Sequence, residues 1–248
     1  MSLKDAKKLN LNDEMKGSIV DTLLVYLKST LLERMSSDFD DYLSVDVERQ
    51  VLTALKPFKN NFQESCVDIL RKILTEKSNV TAGQLQYSFK IYQIAFEAKS
   101  DSNKSGNFIK NYIKFYDEFG LKALTLNEND KIGAVVQIIE TNNAMLKESK
   151  NQLDNTAIDE IFCQLIDPRS KPSGSDVREF CKFYSAVGES LFVIANVRQN
   201  YFKSRISQFF SVYRSFMEAV YFFKNEEAEE ITPMEVSLLL KLTLQLEK

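Results

Sequence analysis

Apolar residues recur at intervals of three and four along most of the chain, which is the spacing of one face of an α-helix. The first such segment covers residues 13–35, where the acidic residues Asp13 and Glu14 favour a helix start. The predicted core positions of this helix are Ile19, Leu23, Leu24, Leu27, Leu31 and Met35. No strand-like alternation lasts more than a few residues, and the hairpin dipeptides Asn-Gly and Asp-Gly do not occur. The fold is therefore predicted to be all-α.

Proline and turn-forming residues divide this pattern into further helices. Pro57 lies inside the apolar pattern of residues 45–74, and it predicts a split or kink because proline lacks the N–H that a helix interior needs. Polar loops are predicted at 78–83 and at 100–107, and the second is the better candidate for a mobile loop. The next helix carries an aromatic face made of Phe108, Tyr112, Phe115, Tyr116 and Phe119, with Lys110, Lys114 and Asp117 on another face.

The second half of the chain continues the helical pattern. Helices are predicted at 129–151, 158–165, 176–200 and 203–224, and a last one follows Pro233. About eight to ten helices in succession fit an elongated bundle or a solenoid equally well. We predict a single all-helical domain over residues 1–248, in which a subdomain break would fall at the loop 167–175, rich in proline and serine.

The composition argues against catalysis. The chain has no histidine, the side chain best suited to exchange protons or bind metal near neutral pH. Phosphate-binding glycine loops are also absent from the sequence. Adjacent carboxylates such as Asp40 and Asp41 point to different sides of a helix, which is typical of surface charge. We predict a protein that is not an enzyme and has no metal or other cofactor.

Charge and cysteine content restrict the compartment and the partners. The 32 basic and 35 acidic residues give a net charge of -3, whereas nucleic-acid-binding surfaces are basic, so no nucleic acid is expected. Cys66, Cys163 and Cys181 are widely spaced and odd in number, which favours reduced, buried thiols. No signal-like or membrane-spanning apolar stretch occurs. These features predict a cytoplasmic protein that could also bind peripherally to a membrane.

One candidate membrane site lies at the N-terminus. Lys4, Lys7 and Lys8 lie on a short segment with Leu3 and Leu9, which is compatible with an amphipathic turn on an anionic membrane surface. A solvated terminus explains the same residues and is the simpler interpretation. Further basic patches would require neighbouring helices to bring together Lys110 and Lys114, or Arg198, Lys203 and Arg205.

Two segments resemble a known family. The string Phe108-Ile-Lys-Asn-Tyr-Ile-Lys-Phe-Tyr-Asp-Glu118 resembles a helix of the ANTH domain, the membrane-binding module of clathrin-assembly adaptors. Residues 206–223 and 232–240 resemble that family's late aromatic helix and its closing helix, so the resemblance loosely covers 85–248. It implies a right-handed superhelix, phosphoinositide recognition, and clathrin-coat or SNARE proteins as partners. The family's lysine-rich lipid motif is not reproduced between Lys4 and Lys72, so no lipid-binding residue is carried over.

Two functions from different classes follow. The first is a non-enzymatic cytoplasmic helical adaptor for vesicle or endocytic traffic, which binds proteins and an anionic phosphoinositide membrane surface. The second is a self-assembling structural protein, such as a viral capsid or nucleocapsid-like subunit or an oligomeric helical activator. The aromatic faces have the spacing of core positions, although a pocket for an apolar ligand would use the same residue types.

Overall fold

The computed structural model describes residues 12–36, 45–55, 62–77, 79–97, 105–126, 128–149, 156–159, 161, 177–205, 207, 208, 211 and 214. The regular elements in these ranges are all helices, so the all-α prediction is confirmed. Several predicted features lie outside the described residues: Lys4, Lys7, Lys8, Pro57, the loop 167–175, most of the predicted helix 203–224 and the helix after Pro233. The side chains of the three cysteines also lie outside them.

The described helices fall into two compact units, residues 1–119 and 120–248. The first unit contains α1 (Asp13–Ser36), α2 (Asp46–Leu55), α3 (Phe62–Thr75), α4 (Ala82–Glu97) and α5 (Ser105–Phe119). The second unit contains a 3₁₀ helix (Leu121–Thr125), α6 (Glu128–Ser149), α7 (Val177–Val197) and α8 (Gln199–Ser204). That residues 1–248 form a single domain stays a prediction.

Helix α1 is stabilised at both ends by polar groups. The backbone N–H of Met15 donates a 2.8 Å hydrogen bond to the side-chain oxygen of Asn12, which caps the helix start. At the other end the carbonyl oxygen of Met35 accepts hydrogen bonds from the Lys77 ammonium and from Gln84 Nε2, the latter at 2.9 Å. Because the last carbonyls of a helix lack partners within the helix, these contacts stabilise the end of α1.

The core of the first unit is an aromatic cluster between α4 and α5. Tyr92 and Phe115 have ring centres 4.5 Å apart, and Phe96 and Phe108 have ring centres 4.7 Å apart. All five aromatic residues of the predicted α5 face are buried, and the lysines and aspartate predicted on its other face are exposed, which confirms that part of the prediction. The aromatic residues of this face pack against other protein side chains, as core positions do.

In the second unit, α6 packs along α7. Apolar residues such as Ile138 on α6 and Ile194 on α7 are fully buried. The interface also contains polar groups, since Ser190 Oγ donates a 2.6 Å hydrogen bond to Asn143 Oδ1. At its exposed edge Lys147 Nζ lies 2.6 Å from Glu189 Oε1. Directional contacts of this kind define the alignment of the two helices more closely than apolar packing alone.

Three predicted boundaries were wrong. The predicted loop 78–83 overlaps the start of α4 at Ala82, because Thr81 and Gln84 form a reciprocal capping box with backbone-to-side-chain distances of 3.2 and 3.3 Å. Similarly, residues 105–107 of the second predicted loop belong to α5. The predicted helix 176–200 ends at Val197, where Arg198 leaves the helical conformation with φ -135° and ψ 55°.

Candidate interaction surface

Helix α1 has apolar residues on two opposite sides, which separates it from an ordinary amphipathic helix. One side packs into the first unit and includes the buried residues Val20, Leu27, Leu31 and Met35. The other side is formed by six residues at alternating intervals of three and four: Met15, Ser18, Thr22, Val25, Ser29 and Leu32. All six are exposed and none is charged. We call these six residues, together with the neighbouring Tyr26, the outer face of α1.

The large side chains of the outer face are strongly exposed. The exposed fraction is 55% for Met15, 66% for Val25, 51% for Tyr26 and 42% for Leu32. Within the described residues only two other large apolar side chains are exposed, Val47 and Leu121. Single exposed apolar residues are ordinary, whereas a contiguous row of them marks a surface that another molecule covers.

The N-terminal half of the outer face borders an open, shallow depression. Gly17, Ser18, Thr22 and Val25 line it together with two carboxylates, Glu14 and Asp21. A methyl group added at Gly17 would meet nothing within 4 Å, so a closely approaching chain has room there. One edge of the face carries the exposed residues Asp21 and Lys28, two turns apart, and neither forms a hydrogen bond or ion pair within the described part of the chain.

A buried polar network holds the inner side of α1 in place. Glu48 of α2 is fully buried, and its Oε1 lies 2.7 Å from Arg34 Nε of α1. The Tyr87 hydroxyl of α4 donates a second 2.7 Å hydrogen bond to the same oxygen. Three helices therefore meet at one carboxylate oxygen, and this connection limits rotation of α1 about its own axis. The outer face is consequently presented to solvent in a fixed orientation.

The basic residues that the sequence singles out belong to two separate groups, one in each unit. Lys110 and Lys114 are exposed one turn apart on α5. Arg205 Nη2 lies 3.2 Å from Asp159, which also accepts a 2.5 Å hydrogen bond from the Tyr201 hydroxyl, so this arginine already has a counter-ion. Partial burial lowers the pKa of the Arg198 guanidinium. The membrane candidates Lys4, Lys7 and Lys8 lie outside the described residues.

No cluster of three or more histidine, cysteine, aspartate or glutamate side chains that could hold a metal ion occurs among the described residues. Within those same ranges, every helix is too short or too polar to cross a bilayer.

Sequence reasoning missed the outer face of α1, although its signal is present in the sequence. The stronger leucine-rich pattern on the other side of the helix predicted the core, and no prediction was made for the second pattern of serine, threonine and single apolar residues. Only the exposure of these side chains in the folded structure distinguishes a second apolar side from core. The Glu48 network has no local signal, because Arg34 and Tyr87 are distant from it in sequence.

Comparisons of this chain with models of known protein families, with curated proteins and with solved structures gave no match in any of the three.

Proposed function

We propose that this protein is a non-enzymatic helical adaptor that acts through protein contacts, and that the outer face of α1 is one of its docking surfaces. The observation that carries the proposal is the row of exposed, uncharged positions on a helix whose other side is already buried. Burying exposed apolar area contributes about 25 cal/mol per Å², so a helical partner laid along this row would gain binding energy.

Site-specific photocrosslinking tests this docking surface. A photoreactive amino acid at Tyr26 should crosslink to a bound protein, since this side chain is half exposed within the outer face. The matched control places the same amino acid at Leu121, which is similarly exposed but lies in the other unit. Strong crosslinking at Tyr26 and little at Leu121 would support the proposal. Equal crosslinking at both positions would contradict it.

The resemblance to the ANTH domain extends the proposal to an anionic membrane surface in vesicle or endocytic traffic, with clathrin-coat or SNARE proteins as partners. Support comes from the lysines at 4, 7 and 8 and from the aromatic helix α5 with its exposed Lys110 and Lys114. Each lysine near an anionic surface contributes about 1 kcal/mol to membrane binding. Replacing the three N-terminal lysines by glutamate should therefore weaken sedimentation with phosphoinositide vesicles, measured at low and high salt. Unchanged partitioning of a folded variant would remove these lysines from the proposal.

A self-assembling structural protein is the second candidate. The observation that favours it is that no residue of the outer face carries a charge. An uncharged face can pack against a copy of itself without electrostatic repulsion. Large rings or filaments on size-exclusion chromatography, without vesicle binding, would favour this function over the adaptor.

A further inference from the structure

We infer that the outer face of α1 binds a second copy of this chain, with the two α1 helices packed antiparallel about a two-fold axis. The inference rests on the proposed role of this face as a docking surface and names the molecule that occupies it. The contact is isologous, meaning that the same residues are used on both copies.

The spacing of the outer face is symmetric about the middle of the helix. Its six spaced residues alternate in steps of three and four, which is the seam spacing of a coiled coil. When a second α1 runs antiparallel with the two midpoints aligned, each of the six residues faces one residue of the second copy. These contacts are of three kinds, and each kind occurs twice. Met15 meets Leu32 of the second copy, Ser18 meets Ser29, and Thr22 meets Val25. The large side chains then cover the ends of the seam, and the smaller ones allow the helices to approach closely at its centre.

The charges beside the seam fit the same arrangement. Asp21 and Lys28 occupy equivalent flanking positions, one in each half of the helix. In the antiparallel pair, Asp21 of each copy lies close to Lys28 of the other copy. The two residues are offset along the helix axis by about two residues, which is about 3 Å. Two ion pairs form on one flank, and on the opposite flank Ile19 meets Tyr26 of the second copy. A parallel pair would instead place Lys28 beside Glu33 and Asp21 beside Tyr26, so that Asp21 would have no counter-ion.

The geometry also limits the size of the assembly. Because both copies use the same face, the assembly closes at two chains and leaves no free outer face for a third. A single pair of helices is a small interface, so a dissociation constant on the order of 1–100 µM is expected. The dimer would place two copies of every other surface on one particle, which strengthens the binding of an adaptor to a target with repeated sites.

Sedimentation equilibrium of the full chain between about 1 and 200 µM tests the dimer. Thr22→Glu, which buries a carboxylate in a central layer, should weaken self-association by at least about tenfold. Thr53→Glu on α2 is the matched control, because both threonines are exposed and both donate to the carbonyl four residues earlier, at 2.8 and 2.7 Å. The control should dimerise as the wild type does. Circular dichroism verifies that both variants are folded.

A charge exchange tests the register. Asp21→Lys and Lys28→Asp should each weaken the dimer, because like charges then face each other across the seam. The double variant restores opposite charges and should return to within about threefold of the wild-type dissociation constant. An equimolar mixture of the two single variants should form mixed dimers in preference to either variant alone. In a parallel pair the double variant would not recover, and that result would overturn the antiparallel arrangement.

The two proposals can fail separately. A monomeric wild type, or equal effects of Thr22→Glu and Thr53→Glu, would overturn the dimer. If Tyr26 then crosslinked to a different protein, the outer face would remain a docking surface and only the identity of its occupant would be wrong. If Tyr26 crosslinked no more than Leu121 did, the docking surface itself would fail.

Discussion

At the scale of single residues, Tyr112 shows how the aromatic core affects the response to pH. Its side chain is fully buried in the first unit, with its ring 5.2 Å from the ring of Tyr92 and 5.2 Å from that of Phe96. Burial, and secondarily the nearby Tyr116 and Tyr92, raises the pKa of the Tyr112 hydroxyl well above its ordinary value of 10.0. The folded protein therefore retains a proton at alkaline pH that the unfolded chain releases.

The stability of the protein should consequently fall as the pH rises above about 10. The unfolded chain then binds fewer protons than the native state, and each such proton lowers the free energy of unfolding by about 1.4 kcal/mol per pH unit. Tyr112→Phe removes one titrating group, so its stability should decline less steeply than that of the wild type. Urea unfolding followed by circular dichroism from pH 8 to pH 11.5 measures both slopes. Parallel curves would show that Tyr112 does not titrate differently in the two states.

At the scale of elements, the helices differ in how much of their structure the sequence reveals. Helix α5 is fully predictable in its sidedness, because its aromatic and charged residues occupy opposite faces and the structure buries the aromatic one. Helix α1 is predictable in its bounds but only partly in its inner face, where Leu27, Leu31 and Met35 are buried and the other three predicted core residues are half-buried. Its outer face is not predictable, since apolar residues on both sides give a pattern without one clear direction. The start of α4 was missed because a loop-like sequence, Ser-Asn-Val-Thr-Ala-Gly, contains the capping threonine.

Contacts between elements distant in sequence could not be predicted. The carboxylate of Glu48 on α2 reads as an ordinary acidic residue near a helix start, yet the structure buries it completely against Arg34 of α1 and Tyr87 of α4. Helical periodicity gives the face of a single helix, but not which helix covers it or where a charge finds its partner. For the same reason the sequence alone does not distinguish the outer face of α1 from its inner face, which the other helices of the unit cover.

A double-mutant cycle on Arg34 and Glu48 tests this connection between helices. Arg34→Met leaves a buried carboxylate without its counter-ion and should lower the free energy of unfolding by about 3 to 5 kcal/mol. The double variant, with methionine at both positions, removes the charge together with its counter-ion and should be less destabilised than Arg34→Met alone. Chemical denaturation monitored by circular dichroism measures each variant. Additive effects of the two substitutions would contradict a coupled buried pair.

At the scale of the whole molecule, the described helices form two compact units, and the outer face of α1 belongs to the first. Each unit has its own core, which is aromatic in the first and mainly aliphatic between α6 and α7 in the second. The inner side of α1 contributes to the core of its unit, while its outer side remains exposed. The proposed dimer therefore adds contacts to the folded state without requiring any rearrangement of this core.

Thermal unfolding should depend on protein concentration if the dimer forms, because the unfolded chains are separate and mass action then favours the native state. Above the dissociation constant, a tenfold increase in concentration adds about 0.7 kcal/mol of stability per chain, and for a chain of 248 residues this raises the Tm by about 1 to 2 °C. Scanning calorimetry at three concentrations measures the shift. Thr53→Glu should show the same dependence, whereas Thr22→Glu should show a smaller shift, since it weakens the association and leaves the inner side of α1 unchanged. A wild-type Tm that does not vary with concentration would mean that α1 does not join two folded chains in this range.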